Sequence, residues 1–258
     1  MIQRFKELYD YRDFFFQFVY QQLYQRYSGS VLGFLWTLIN PLLVYASFSI
    51  IFSMINHWDL KDYGIYFFSG YMFWNFFANS CLHGAESVVG NPGYVTRLYV
   101  PRMVFPFASI AVNLVDLGAG MLVLFGLMAF LRTPFTPALL ALPCFILIAT
   151  IFAGGAALLC AACNVFLRDF RHLLSAVLFL WFFFSPVLWK LDGMPSQARG
   201  YLDNNPVLPF LTLFHDPIWR GHAPAASVIL ASCGLALVTL AAGVLVFTRK
   251  EKDFYYYL

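Results

Sequence analysis

The side chains in this sequence that could carry chemistry are few and scattered. His215-Asp216 is the one adjacent acid/base couple, and it would suit proton transfer to a group within hydrogen-bonding reach. Pro217 follows it, and an Asp at such a position more commonly caps a loop, so a structural role is the plainer reading. Asp192, Asp203 and Asp216 stand apart, with no D-x-D pair to hold a metal-bound sugar nucleotide. Cys160 and Cys163 form a C-x-x-C, but no second pair and no neighbouring His completes a metal set. With Cys81, Cys144 and Cys233 they fall in or beside apolar runs and read as small core residues. Ser28-Gly29-Ser30 is not a G-x-S-x-G nucleophile elbow. A phosphate-binding G-x-x-x-x-G-K-[ST] is missing, so the chain cannot itself use ATP and any ATP-driven role needs a partner subunit. No catalytic residue, metal or cofactor is therefore expected.

The elements that would position these groups are membrane spans. Of the 258 residues 61% are hydrophobic and 11% charged, against about 25% charged in ordinary globular domains. The net charge of +3 is too small to suggest nucleic acid. Leu32 to Ile55 and Gly64 to Leu82 contain no charged residue. About 20 mostly apolar residues cross a bilayer as a helix, and backbone groups in lipid must pair internally. Apolar length and punctuation predict six spans, near Leu32–Ile55, Gly64–Glu86, Val104–Leu131, Ala138–Cys163, Leu173–Trp189 and Ala225–Thr248. Arg132-Thr133-Pro134 separates the third from the fourth, and Gly154-Gly155 would permit close helix contact. Asp116 becomes the one intramembrane acid, a functional candidate by default. Without a cation in neighbouring spans it argues against a proton-coupled carrier, and it is expected to face the bundle interior or the polar zone near Asn113.

Charge placement gives an orientation. Arg4, Lys6, Arg12 and Arg26, then Arg97 and Arg102, then Arg168 and Arg171, then Arg249, Lys250 and Lys252 fall on one side. These are eleven of the 16 cations, and Lys61, Arg132, Lys190, Arg199 and Arg220 fall on the other. Both termini are expected in the cytoplasm. Met1 to Arg26 mixes cations, acids and rings without a cleavage site, which predicts an amphipathic helix in the membrane interface over residues 1–31. Residues 190–224 form the longest external segment, yet Val207-Leu208-Pro209-Phe210-Leu211 and Ile218-Trp219 are too apolar for a solvated loop. Short re-entrant helices or a folded external cap would both explain them.

Aromatic residues make up 20% of the chain. Trp58, Tyr63 and the Phe254-Tyr255-Tyr256-Tyr257 tail suit interface belts. Trp36, Tyr45 and Phe48 in the first span, Tyr71 and Trp74 in the second, and Trp181 to Phe184 in the fifth sit at depth. They are packing residues or the lining of a conduit, and composition does not choose between the two.

Several short motifs choose more sharply. Arg26-Tyr27-Ser28-Gly29-Ser30-Val31-Leu32-Gly33-Phe34-Leu35-Trp36, followed by Asn40-Pro41-Leu42-Leu43, resembles the first-span signature of ABC exporter permeases for polysaccharides, the Wzm, KpsM and TagG group. The resemblance continues at Asn91-Pro92-Gly93-Tyr94-Val95-Thr96-Arg97-Leu98-Tyr99-Val100-Pro101-Arg102 and Pro106. It returns at Leu167-Arg168-Asp169-Phe170-Arg171, Ser185-Pro186-Val187-Leu188-Trp189, Asn204-Asn205-Pro206 and Asp216-Pro217-Ile218-Trp219-Arg220-Gly221. Arg97 replaces the family's more frequent Lys, and Val100 its usual aromatic, which leaves charge and topology intact.

The resemblance implies an all-α membrane protein and a type 2 ABC exporter permease: one transmembrane domain over 1–258 with six helices, an interfacial helix, external re-entrant helices in 190–224 and a cytoplasmic tail at 249–258. It implies a homodimer in the bacterial inner membrane, paired with two copies of an ATP-binding cassette subunit. The cargo would be a lipid-linked polysaccharide such as O-antigen or capsule. Residues 87–103 resemble the coupling segment, with Asn91, Arg97, Tyr99, Pro101 and Arg102 as its contacts. Trp36, Tyr45, Phe48, Tyr71, Trp74, Trp181 and Phe184 would line the conduit. The rival readings are a membrane-embedded transferase of envelope glycan assembly, which lacks its acid/base or metal set here, and a type 2 ABC permease for a smaller substrate.

Overall fold

Apolar runs with few internal breakers become helices, and the breakers fall between them. The computed structural model describes residues 10–30, 32–56, 59–97, 100–167, 169–190, 200 and 202–257, and every regular element among the described residues is helical. These are α1 (Arg12–Tyr27), α2 (Leu35–Asn56), α3 (Leu60–Val89), α4 (Pro92–Arg97), α5 (Val104–Phe130), α6 (Leu142–Phe166), α7 (Phe170–Phe183), α8 (Leu208–His215), α9 (Ala226–Lys250) and α10 (Phe254–Tyr257). A 3-10 turn at Pro137–Ala141 leads into α6, and a π-turn at Asp216–Arg220 extends α8. One end of the bundle carries α1, α4 and α10, and the opposite end carries α8.

Among the described residues four helical stretches are long and apolar enough to cross a membrane: Leu35–Ile55, Val104–Phe130, Pro137–Phe166 and Ala226–Lys250. The second expected span lies within α3, whose 30 residues are ample in length. Its polar residues, among them Asn75, Asn79, His83 and Glu86, dilute the apolar character. The fifth expected span, Leu173–Trp189, is a helix only to Phe183. Pro186 explains the early stop, because the residue before a proline is driven out of the helical region. At about 1.5 Å per residue the 14 residues of α7 rise about 21 Å, short of the about 30 Å hydrocarbon core.

Boundaries elsewhere follow local chemistry. Asp59 caps α3 by accepting from the Asp62 amide at 2.9 Å. Leu131-Arg132-Thr133 closes α5: the Thr133 amide donates to Met128 O at 2.8 Å and Arg132 takes a left-handed φ of 53°. α1 differs from the amphipathic helix expected of it, because rings surround it. Phe18 is buried against Phe105 and Tyr94, while Phe16, Tyr20 and Tyr24 are exposed on the outer side.

α3 is the hub, packed against α2, α5, α6 and α8. Phe67, Phe68 and Phe73 on it are fully enclosed. Apolar side chains gain little from association inside lipid, so close backbone approach matters more there. The Gly155 position of α6 meets α9 with no room for a side chain. A Cβ on Gly155 would strike the backbone of Thr239 and Leu240, and one on Gly243 would strike the Gly155 carbonyl.

α8 inserts into the bundle rather than lying over it. Phe210 stacks on Phe152 at 4.2 Å between centroids, and Phe214 packs on Phe73. Stacked pairs are worth about 0.5–1.5 kcal/mol beyond area burial. Asn205 joins this element to the end of α7: its amide donates to Ser185 Oγ at 3.0 Å, and its carbonyl accepts from Trp181 Nε1 at 3.1 Å. Most of the expected external segment between Leu191 and Tyr201, with Asp192 and Arg199, lies outside the described residues, as do 1–9, Trp58 and Arg168.

Candidate functional site

Tyr71, Asn75, Asn79, His83 and Glu86 recur along α3 at spacings of four, four, four and three, which aligns them on one face. Asn79 donates to Asn75 Oδ1 at 3.0 Å. His83 Nδ1 lies 2.9 Å from Asn113 Oδ1 of α5; a carbonyl oxygen accepts, so that nitrogen carries the proton. Asn113 is buried and also donates to Ser80 Oγ at 3.4 Å. Glu86 pairs with Arg171 at the start of α7. One turn beyond Asn113, Asp116 forms an ion pair with Arg26 and accepts from Tyr27 Oη at 3.0 Å. The partner cation that neighbouring spans lack thus comes from α1. Burial, and then the Asp116 carboxylate, push the Tyr27 hydroxyl up to about 12, so it remains a donor throughout the physiological range.

Two cavities follow this polar face. One of about 410 Å³ lies between α1, α2, α3 and α5 and opens past the exposed Trp36 and Asn40, with Asn75, Asn79, Asn113 and Tyr71 also in its wall. The other, of about 730 Å³, opens towards α1 and α4 and is lined by Gln21, Gln22, Gln25, His83, Glu86 and Asn91. Arg26 belongs to both walls and stands between them.

The residues expected to line a conduit separate into three settings. Trp36 and Tyr71 line the smaller cavity, and Trp36 is 43% exposed. Tyr45 packs on Phe68, and Phe48 stacks on Phe67 at 5.1 Å. Trp74 is 5% exposed and meets the edge of Trp181 at 5.8 Å. Phe184, at 73% exposed, lies on the outer face of the α7 end, beside exposed Leu180 and Phe183. No single surface gathers all seven.

Of the residues expected to couple to a partner, Asn91 caps the end of α3 by donating to Ser87 O at 2.9 Å. Tyr94 of α4 packs against Phe18, Phe14 and Phe105, which ties α4 to α1. Pro101 and Arg102 are half-buried, and the Arg102 guanidinium lies 6.0 Å from the Phe254 ring centre. Tyr99 and the Arg97 side chain lie outside the described residues. His215, set aside as a catalytic base, is buried: its ring stacks on Tyr66 at 4.3 Å, with Nε2 3.2 Å from Pro186 O and Nδ1 2.8 Å from Ser69 Oγ. Burial lowers its pKa to about 3, so the ring is neutral. Cys160 sits in the α3–α6 core with Cys81. Among the described residues no three His, Cys, Asp or Glu side chains are grouped to hold a metal ion.

Similarity to known proteins identifies the setting of this polar face. Residues 14–217 match the model of a family described as ABC-2 type transporter. The chain belongs to that family. It is 30% identical over 258 residues to an O-antigen export system permease protein of Myxococcus xanthus, covering 98% of each chain. A Klebsiella pneumoniae protein of the same description is 24% identical over 231 residues, covering 89% of this chain and 88% of its own. As an ABC-2 transporter chain it supplies membrane helices. Nothing local in the sequence groups the asparagines of α3 with Asn113 and Arg26; the four-residue polar repeat inside an aromatic run is the signal that marks them.

Proposed function

We propose that this chain is the membrane-spanning permease subunit of an ATP-driven exporter, moving a lipid-linked polysaccharide of the O-antigen or capsule type across the bacterial inner membrane. The observation that carries this reading is similarity along 98% of the chain to a protein named for O-antigen export. A separate ATP-binding cassette subunit, in two copies, hydrolyses ATP, since the sequence has no phosphate loop. The permease then needs packing with two stable arrangements rather than catalytic groups.

In this reading α3 and α7, the latter continued by the turns of residues 184–189, complete six spans, and both termini face the cytoplasm. The end carrying α1, α4 and α10 is cytoplasmic. Residues 87–103 dock on the ATPase through Asn91, Arg97, Tyr99, Pro101 and Arg102, where charge-assisted hydrogen bonds from the arginines give the contact strength and fixed geometry. Residues 190–224 are external, with α8 re-entering the outer membrane half. Two copies associate through the exposed apolar surfaces of α2 and α7, where Leu43, Ile50, Leu173 and Leu180 are uncovered. Trp36, Tyr71 and Phe184 contact the passing glycan, and Tyr45, Phe48, Trp74 and Trp181 hold the walls.

Deletion of the chain in a polymer-producing cell tests the reading. Surface polysaccharide should vanish while lipid-linked polymer accumulates inside, and Arg102→Glu should reproduce the defect with the protein still inserted. The purified chain should hydrolyse no ATP until its cassette subunit is added. Normal surface polymer in the deletion strain overturns the proposal.

A further inference from the structure

The 410 Å³ cavity is built from unlike parts that agree on one chemistry. Its amides come from three places: Asn40 on α2, Asn75 and Asn79 on α3, and Asn113 on α5. Each amide offers two donors and two acceptor positions; the bond from Asn79 to Asn75 uses one on each, and Asn113 is engaged by His83 and Ser80, which leaves most of the capacity of Asn75 and Asn79 for a ligand. An asparagine inside a span is costly unless polar groups or water meet it, so the grouping of four is not a by-product of packing. Among the described residues the charged groups in the wall are Arg26 and Asp116, and they neutralise each other. An anion would meet the Asp116 carboxylate and a cation the Arg26 guanidinium, so neither is well served. Trp36 and Tyr71 add ring faces. Amides for hydroxyls, rings for C–H surfaces and no net charge suit an uncharged polyhydroxylated ligand. The volume lies within the about 300–1,000 Å³ typical of small-molecule sites.

We propose that this cavity binds a neutral sugar unit of the transported glycan within a single subunit, with Asn75 and Asn79 as its hydroxyl-binding groups and the Arg26–Asp116 pair as the partition from the larger cavity. This rests on the glycan-export reading and names a subsite within it. A unit entering past α1 first meets the glutamines and His83 of the 730 Å³ cavity, and reaches Asn79 only when Arg26 moves aside. Transient binding to a few amides slows no polymer permanently, because each such hydrogen bond is individually weak once exchanged against water.

The test uses the intact exporter in cells making polymer, with the photoreactive p-benzoyl-phenylalanine replacing Asn79. Irradiation should attach glycan to the chain, visible as a polymer ladder on the protein. The same group replacing Leu122, which is 71% exposed on another face of α5, should attach none. At matched membrane levels, the Asn75→Ala/Asn79→Ala pair should export about tenfold more slowly, equivalent to about 1.4 kcal/mol. The subsite is overturned if Asn79 yields no adduct while a probe replacing Phe184 does, or if the double variant exports at the normal rate; the cavity then holds only water. Absence of adducts at both positions, with surface polymer unchanged by deletion of the chain, overturns the export reading and the subsite with it.

Discussion

Arg26 and Asp116, 90 positions apart in sequence, meet as an ion pair that fastens the last turn of α1 to the middle of α5. Tyr27 reinforces the joint from the next position, donating to the other carboxylate oxygen. The acid that might have marked a proton carrier is therefore half of an inter-helix tie. That tie decides how α1 lies against the bundle and where the two cavities divide.

Breaking the tie should loosen α1. Asp116→Asn is expected to lower stability by about 1.5–3 kcal/mol, the usual worth of a hydrogen bond to a charged group. The exchange of partners in Arg26→Asp/Asp116→Arg should recover part of the loss. Thermal melting of the parent, Arg26→Asp, Asp116→Arg and the exchanged pair in detergent, the four corners of a double-mutant cycle, checks the coupling. Additive losses would mean that the two side chains do not interact.

The α6–α9 crossing gives a sharper steric expectation. Gly155→Ala puts a methyl group into the backbone of Thr239 and Leu240, whereas Gly234→Ala on α9 meets nothing within 4 Å. Overpacking of this kind costs about 1–3 kcal/mol, occasionally more. Gly155→Ala should melt earlier or fail to accumulate in the membrane, and Gly234→Ala should match the parent protein. Equal melting of both would show that the helices separate easily.

His215 ties the α8 segment to α3 as a neutral ring, and its surroundings fix a pH dependence. Asp216 and Arg220, which pair with each other, are the charged neighbours in its turn, and the Arg220 charge adds to the burial that disfavours protonation. An exposed His titrates near 6.5 and this one at about 3, so between these values the unfolded chain binds a proton that the folded chain does not. Stability is complete above pH 6.5 and falls as pH drops towards 3, by up to about 1.4 kcal/mol per pH unit. Melting temperature should therefore decline from pH 7 to pH 5. His215→Gln should melt lower at pH 7 and lose much of that slope; an unchanged slope would place the titration elsewhere.

Four of the six expected spans were legible because length and composition alone demand them, and the close contact at Gly155 was legible because paired glycines have few other uses in a helix. The polar face of α3 was harder to read. Asn75 and Asn79 are diluted among Phe73, Trp74, Phe76 and Phe77, and only their four-residue repeat marks a common face. The Arg26–Asp116 pair was hidden for another reason: nothing local to either residue indicates that α1 folds back on α5. The end of α7 at Phe183 turns on Pro186, three residues beyond, whose effect a count of apolar residues overlooks. Aromatic residues were the least decided by sequence, since Trp74 and Phe184 look alike as letters and differ only in their surroundings.

That difference makes the last prediction. Trp74 is enclosed by Phe77, Trp181 and Phe182, so Trp74→Ala should leave a cavity and cost about 3–5 kcal/mol. Phe184 has no such enclosure, so Phe184→Ala should leave melting nearly unchanged. If exposed rings guide the glycan, the order reverses for transport at matched protein levels. Phe184→Ala should then slow export, and Trp36→Ala should add to it, because ring stacking on sugars is weak and repeated along a polymer. Export rates and melting temperatures measured on the same three variants separate guidance from packing. Normal export by the Trp36→Ala/Phe184→Ala pair would assign both exposed rings to lipid or to a neighbouring copy.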